Sequence, residues 1–188
     1  MSVGTWVSRA FPDFNPRRIL DMATQEGKQI YAYQQLFPQA ELYGVDIAAP
    51  SLRYGHAKAI NAGVPIHFSQ QNCEQLDFPD GHFDLIVSSF FLHEISVPAT
   101  KRVLAECYRL LAPGGRIYLS IPNGDVDIRD LMTFLKYGDR DDAGNPNPLA
   151  GRVEKLYGYG ASLSGRVIRQ YVTLIDPVTV GLRLSALV

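Results

Sequence analysis

Five short apolar runs alternate with helix-like segments along the first two thirds of the chain, and this alternation limits the possible folds more than any other feature. Each run is rich in β-branched or aromatic residues and is followed by a polar or helical segment, which is typical of buried parallel strands. The runs are residues 18–23, 41–47, 66–71, 83–90 and 116–121. The pattern predicts an α/β fold with a mostly parallel sheet between two layers of helices.

The helical segments between these runs have one apolar face each. In residues 98–111 the apolar positions form a single stripe, and the following Pro-Gly-Gly segment ends the helix. A similar face is predicted for the helix that contains Ile30 and Tyr33 and ends at Pro38. Ligands of such sheets bind beyond the carboxyl ends of the strands, where the strand order reverses, so a site is expected there.

Size, charge and cysteine content exclude several classes of protein. The chain has 188 residues and a formal net charge of −1, which predicts a single domain over residues 1–188 and argues against a nucleic-acid or anionic-membrane partner. No apolar run approaches the roughly 18 residues of a membrane span. Cys73 and Cys107 lack CxxC spacing and a neighbouring His cluster, so we expect no metal site and a reducing, cytoplasmic location.

Two regions lie outside the regular alternation. Residues 1–16 are interpreted as an N-terminal lid or cap, and residues 138–166 as a variable loop region that begins with many Gly, Asp, Asn and Pro residues. The tail resembles two strands around a turn at Asp176 and Pro177. Apolar and polar residues alternate in residues 178–185, which predicts a strand with one buried face, at a sheet edge or in a homodimer interface.

Polar residues follow three successive predicted strands at nearly even spacing: Asp21, Asp46 and Asn72. A carboxylate at the end of the second strand of a βαβ nucleotide site accepts hydrogen bonds from ribose hydroxyls. The alternative for Asp46 is a cap of the helix that starts near residue 49. The 25-residue separation of Asp46 from Asp21 favours the ribose site.

Four segments, in order, resemble the successive motifs of class I S-adenosylmethionine (SAM)-dependent methyltransferases that act on small molecules: "RILDMATQEG", "LYGVDIAAPSL", "QNCEQLDFPDGHFDLIVSSFFLHEI" and "VLAECYRLLAPGGRIYLSI". The resemblance covers about residues 17–121. It implies a Rossmann-like three-layer sandwich that ends in a C-terminal antiparallel hairpin. It also implies methyl transfer from SAM to a small-molecule acceptor, with S-adenosylhomocysteine (SAH) as the product.

The resemblance implies a role for each matching position on the first two strands. Asp21 and the turn up to Gly27 would surround the methionine part of the cofactor. Asp46 would bind the ribose, and Ile47 would lie against the adenine.

Positions after the third and fourth strands complete the implied site. Asn72 and Cys73 would flank the adenine edge, and Ser89 and Phe90 would form the floor of the pocket. His93 lies just beyond the fourth strand and is a candidate general base for an acceptor that must lose a proton. The alternative is that His93 caps the following helix or packs beneath the pocket.

The chain departs from the family pattern at three positions. Ala23 and Gln25 stand where the family has the first two of three glycines, and Asn72 stands where Asp is common. Ala23 costs on the order of 1 kcal/mol if its φ is positive. The Gln25 side chain either leaves the pocket, binds the methionine carboxylate or blocks the pocket, and Asn72 accepts through its oxygen or donates through its nitrogen. These departures keep a second hypothesis open: a degenerate SAM-binding fold that serves as a non-catalytic partner or scaffold subunit.

Overall fold

Residues 3–120 and Arg140 are described by a computed structural model, which gives four α-helices, five strands and one short 3-10 helix among them. In chain order the elements are α1 (Val3–Ala10), β1 (Arg18–Met22), α2 (Ile30–Leu36), β2 (Glu41–Asp46), α3 (Ala49–Ala62), β3 (Ile66–Gln70), β4 (Phe83–Ser89), the 3-10 helix (Leu92–Glu94), α4 (Val97–Leu110) and β5 (Leu111–Ser120). The five predicted strands are therefore present. The fifth begins earlier than predicted, because the Pro-Gly segment before residue 116 is already part of it.

The strands form one sheet with the order β3-β2-β1-β4-β5. β1 pairs in parallel with both β2 and β4, and β2 pairs in parallel with β3. The chain moves outward from β1 to β3 and then returns to the other side of β1, so the order reverses between β1 and β4. The predicted α/β fold with a parallel sheet is confirmed, and the reversal identifies the carboxyl ends of β1 and β4 as the expected binding edge.

Helices cover both faces of the sheet. Ile19 of β1 packs in a core cluster with Val7 of α1, Tyr33 of α2 and Ala59 of α3. Met22 lies three residues further along β1 and faces the opposite side, since side chains alternate along a strand. There the thiol of Cys107, on α4, lies 3.3 Å from the Met22 sulfur. The result is a three-layer sandwich, with α1 to α3 on one face and α4 on the other.

Local sequence signals set the ends of α3 and α4. Ser96 precedes α4, and its hydroxyl accepts a hydrogen bond from the amide of Ala99. Gly63 ends α3 in the left-handed conformation, with φ of 65°. Both are standard capping arrangements, and the predicted helix over residues 98–111 corresponds closely to α4.

The N-terminal segment belongs to the compact unit Met1–Leu119. Phe11 and Phe14 pack against the core cluster, and the guanidinium of Arg116 lies 3.8 Å from the Phe11 ring centroid. A role of residues 1–16 as a lid stays a prediction. None of the helices in the described residues is long and apolar enough to cross a membrane.

Several predictions fall on residues 121–139 and 141–188, which lie outside the described part. They are the C-terminal antiparallel hairpin, its place in a homodimer interface and nearly all of the variable loop region 138–166. The sheet described above contains no strand from that tail.

Candidate functional site

The turn that follows β1 has a left-handed backbone at every second residue. The φ angles are 57° at Ala23, 52° at Gln25 and 75° at Gly27. These are the positions of the three glycines in the family pattern. The turn therefore has the same left-handed conformation at all three positions, although only Gly27 is a glycine. Left-handed φ costs an L-residue roughly 1–2 kcal/mol, so this turn is strained at two of them.

Hydrogen bonds to β2 hold the strained turn in place. The amide of Thr24 donates to the Val45 carbonyl over 3.0 Å, and the amide of Gln25 donates to Oδ2 of Asp46 over 2.8 Å. Within the turn, the Gly27 amide donates to the Thr24 carbonyl over 2.8 Å. An amide bonded to a carboxylate is worth more than one bonded to a neutral acceptor, so the Asp46 bond offsets part of the strain.

Asp46 is only 7% exposed, and each of its oxygens has one backbone partner. Oδ2 accepts from Gln25, and Oδ1 accepts from the amide of Ala48 over 2.8 Å. Ala48 lies directly before α3. Asp46 therefore connects the β1 turn to the start of α3, and it accepts no hydrogen bond from an amide inside the helix. A carboxylate has about four acceptor positions, and two remain for a ligand.

Asp21 is buried beneath the same turn and is 4% exposed. The hydroxyl of Thr24 donates to Oδ2 of Asp21 over 2.8 Å. Burial raises the pKa of Asp21 to about 7, against the lowering effect of the Thr24 hydrogen bond and with a smaller raising effect from Asp46. With this pKa, the Asp21 carboxyl group is partly protonated at neutral pH.

Close packing fixes the turn from outside. A Cβ added at Gly27 would lie 2.8 Å from Cζ of Phe68, and one at Gly55 of α3 would lie 2.8 Å from the carbonyl oxygen of Glu26. Both distances are far below van der Waals contact. These two glycines let β3 and α3 approach the backbone of the turn.

Exposed apolar side chains lie at the same edge. Ile47, directly after β2, is 72% exposed, and Phe90, directly after β4, is 57% exposed. The φ of Phe90 is 60°, so Ala23, Gln25 and Phe90 are the three non-glycine residues with positive φ in the described part of the chain. All three follow a carboxyl strand end next to the order reversal. Strained residues concentrate at functional sites, and this grouping marks the edge as one.

Asn72 and Cys73 lie beside the β1 turn. The amide of Glu74 donates to Oδ1 of Asn72 over 3.0 Å, so the side-chain oxygen of Asn72 already has a backbone partner. Burial raises the pKa of Cys73 to about 11, so the thiol stays protonated at neutral pH. The backbone of Ala23 is near enough to the Cys73 thiol to act against this rise in its pKa.

The sequence did not identify two residues that join these parts. One is Thr24, which links Asp21 to the turn. The other is Gln29, whose side-chain oxygen accepts a hydrogen bond from the Ser89 hydroxyl over 3.1 Å. Gln29 is a polar residue directly before α2, and helices of this fold begin near the carboxyl edge of the sheet. That position in the sequence could have indicated a role at the site.

His93 lies in the 3-10 helix after β4, but its side chain is outside the described part of the structure. Its role as a base, and the alternative of a packing role, both stay predictions. Among residues 3–120 and Arg140 there is no group of three or more His, Cys, Asp or Glu side chains that could hold a metal ion.

Comparison with known proteins shows the family of this chain. A model of a family described as "methyltransferase domain" matches residues 19–115, which is more than half of the chain and includes the carboxyl ends of β1 to β4. The chain belongs to this family. The matched region is a methyltransferase domain of the class I SAM-dependent type, and SAM is the cofactor that this family implies.

Curated relatives of this methyltransferase domain act in quinone biosynthesis according to their names. This chain is 37% identical over 102 residues to the demethylmenaquinone methyltransferase of Thermus thermophilus. The match covers 54% of this chain and 46% of the relative. The chain is 33% identical over 104 residues to a ubiquinone/menaquinone biosynthesis C-methyltransferase of Psychromonas ingrahamii, covering 54% of the chain and 41% of the relative. The chain spans less than half of the length of these relatives.

Solved structures agree with the fold of the methyltransferase domain. The protein PH0226 of Pyrococcus horikoshii superimposes with a TM-score of 0.58 at 20% identity, over 71% of this chain and 59% of that one. A SAM-dependent methyltransferase of Aquifex aeolicus gives a TM-score of 0.52 at 21% identity, over 60% of each chain. At these identities the likeness shows the fold alone.

Proposed function

We propose that the chain transfers the methyl group of SAM to a small-molecule acceptor at the carboxyl edge of β1, β2 and β4. One observation carries the proposal: the β1 turn has left-handed φ at Ala23 and Gln25 and is bonded to Asp46 through the Gln25 amide. Strained backbone concentrates at functional sites, so its presence at this edge supports a working cofactor site.

On this proposal, Asp46 binds the ribose. Both of its oxygens are oriented by backbone amides, and each retains room for a hydroxyl donor. Ile47 and Phe90 offer exposed apolar surface that an adenine ring would cover. Asn72 and Cys73 flank the adenine, with the Asn72 nitrogen as the available donor.

Asp21 and the turn to Gly27 surround the methionine part. Gln25 is exposed, so its side chain is not packed into the protein core beneath the turn. Ala23 adds one half-buried methyl group. We expect the turn to accept the cofactor at these two positions, because its backbone has the left-handed φ that the family pattern provides with glycines. Ser89, held by Gln29, contributes to the floor of the pocket.

SAM, when bound, supplies a methyl group already activated by its sulfonium. The residues of the chain then have mainly to position and desolvate the reactants, which accounts for much of the rate in such reactions. His93 is the proposed base if the acceptor is a hydroxyl or another group that loses a proton.

The acceptor class is proposed from the relatives. Their names place them in demethylmenaquinone methylation and ubiquinone/menaquinone biosynthesis, which makes a quinone-type ring the first acceptor to test. The scaffold hypothesis rested on the substitutions at Ala23 and Gln25, and the comparisons give it no support.

Calorimetry or a thermal shift with SAH tests the proposal. Ligand at 100 times its dissociation constant should stabilise the fold by about 2.7 kcal/mol. Asp46→Ala should remove the shift, because it deletes the ribose acceptor and releases the turn. A wild-type chain that shows no shift at millimolar SAH, or an Asp46→Ala variant that binds normally, contradicts the proposal. Methyl transfer to a reduced quinone ring is the second step of the test.

A further inference from the structure

The segment between β3 and β4, residues 71–82, is irregular yet firmly attached to α4. We call it the β3–β4 loop. Its first residues are part of the proposed cofactor site: the Gln71 amide donates to the Asp46 carbonyl over 3.1 Å, and Asn72 and Cys73 follow. Whatever fixes the rest of the loop therefore also fixes the nucleoside side of the site.

Glu106 and Arg109 of α4 form a pair that binds this loop as well as each other. Arg109 donates to Glu106 through Nε over 2.9 Å and through Nη2 over 2.6 Å. The same guanidinium donates to the carbonyls of Leu76, over 2.9 Å, and Phe78, over 2.8 Å. The guanidinium thus makes four hydrogen bonds at once in a fixed planar geometry, one more than the three donors of a lysine allow.

Glu106 completes the attachment from the other side. It is 8% exposed, and its Oε1 accepts from the Leu76 amide over 2.7 Å. Burial raises the pKa of Glu106, but the hydrogen bonds from Arg109 and Leu76 outweigh this and hold the pKa below its ordinary value. Both polar groups of the Leu76 backbone are therefore bonded to the Glu106–Arg109 pair.

Further bonds extend the attachment along the loop. Arg109 also pairs with Asp80 over 2.7 Å, and its carbonyl accepts from the Gly81 amide over 2.9 Å. One turn before Glu106, Arg102 pairs with Glu74 over 2.5 Å. Positions 102, 106 and 109 lie on one face of a helix, so α4 presents a single polar stripe to the loop.

The stripe connects directly to Asn72. Glu74 is bonded to Arg102 through its side chain and to Oδ1 of Asn72 through its amide. The amide of Gln75 donates to the Asn72 carbonyl over 3.0 Å, and the next residue is Leu76. A series of hydrogen bonds thus runs from α4 to the Asn72 carboxamide and helps to fix its orientation.

We propose that Glu106 and Arg109 are positioning residues for cofactor binding: they hold the β3–β4 loop in the conformation that presents Asn72 and Cys73 to the nucleoside. Neither residue touches the site itself. The inference rests on the proposed function, since it concerns the affinity of the same site for SAM and SAH.

The test measures the dissociation constant of SAH by calorimetry at 15 °C, together with hydrogen exchange of residues 72–78. Glu106→Gln and Arg109→Ala should weaken binding about tenfold, the equivalent of one charge-assisted hydrogen bond, and speed exchange in the loop. Arg109→Lys retains the charge and should restore part of the affinity. If the Glu106 or Arg109 variants do not fold, Arg102→Ala tests the same polar stripe through a more exposed contact. It should weaken SAH binding about threefold.

Asp84→Asn is the matched control. Asp84 also accepts two backbone amides, those of Arg17 over 2.8 Å and Arg18 over 2.9 Å, but at the amino end of the sheet. It should change thermal stability and leave SAH affinity within about twofold. The inference is overturned if wild-type protein binds SAH and the α4 variants bind equally well, or if Asp84→Asn weakens binding as much as they do. Wild-type protein that fails to bind SAH overturns the proposed function, and this inference with it.

Discussion

Gly27 and Ala23 have similar backbone conformations for different reasons. Both have left-handed φ, 75° and 57° respectively. At Gly27 a side chain has no space, because its Cβ would lie 2.8 Å from Phe68. At Ala23 a Cβ is present and half-buried. The glycine that remains in the turn is thus the one that both conformation and packing require.

The difference shows which part of a glycine-rich turn can be replaced. Left-handed φ alone costs roughly 1–2 kcal/mol per residue, an amount that a few good hydrogen bonds can offset. Gln25 obtains such a bond from Asp46. Lack of space is not offset by hydrogen bonds, because the ring of Phe68 would have to shift out of its packed position. A turn of this shape can therefore keep left-handed φ at three positions with only one glycine.

Gly27→Ala should produce the largest loss of stability, about 3 kcal/mol, from left-handed strain plus overpacking. Gly63→Ala is the matched control, since Gly63 has φ of 65° and nothing lies within 4 Å of its added Cβ. It should lose only the strain, about 1 kcal/mol. Urea unfolding measures both. Equal losses would mean that packing against Phe68 does not distinguish the two positions.

Asp21→Asn should change how stability depends on pH. The pKa of Asp21 is about 7 in the folded chain, against an ordinary value of 3.8, so the folded state holds this proton more tightly. Its contribution is present at low pH and is lost as the pH rises from about 4 through about 7, with a slope of at most about 1.4 kcal/mol per pH unit. The variant should lack this fall. Identical pH profiles of unfolding free energy for the two proteins would show that Asp21 does not titrate there.

Ala23→Gly should have the smallest effect. Removing the strain gains about 1 kcal/mol, and the extra freedom of glycine in the unfolded chain costs most of that again, leaving a net gain of about 0.5 kcal/mol or less. Thermal unfolding of wild type and variant measures the difference. A gain of several kcal/mol would show that the Ala23 methyl group is in steric conflict with its surroundings.

The fold could be predicted from the chain because its signals are local and repeated. Short apolar runs alternate with one-sided helices, and the five strands and their parallel pairing followed from this pattern. The position of Asp46 at the end of β2 also followed from it. What α4 does for the site could not be predicted, because Glu106 and Arg109 are distant in sequence from the loop they bind. Their residue types fit a solvated helix face equally well.

The left-handed conformation of the turn was also beyond prediction. The Gln25 backbone amide is held by Asp46, a residue of the next strand, and this long-range bond is not visible in the local sequence of the turn. Phe90 gave no signal of positive φ at all, since an aromatic residue after a strand is ordinary.

The most direct measurement compares SAH binding by the wild type with that of the Ala23→Gly, Gln25→Gly double variant, which restores the family pattern. If the backbone already has the binding conformation and the Gln25 side chain lies outside the pocket, we expect both proteins to bind SAH with dissociation constants within about threefold of each other. Binding by the double variant alone, or binding that is tighter by about 100-fold or more, would show that the two side chains obstruct the site.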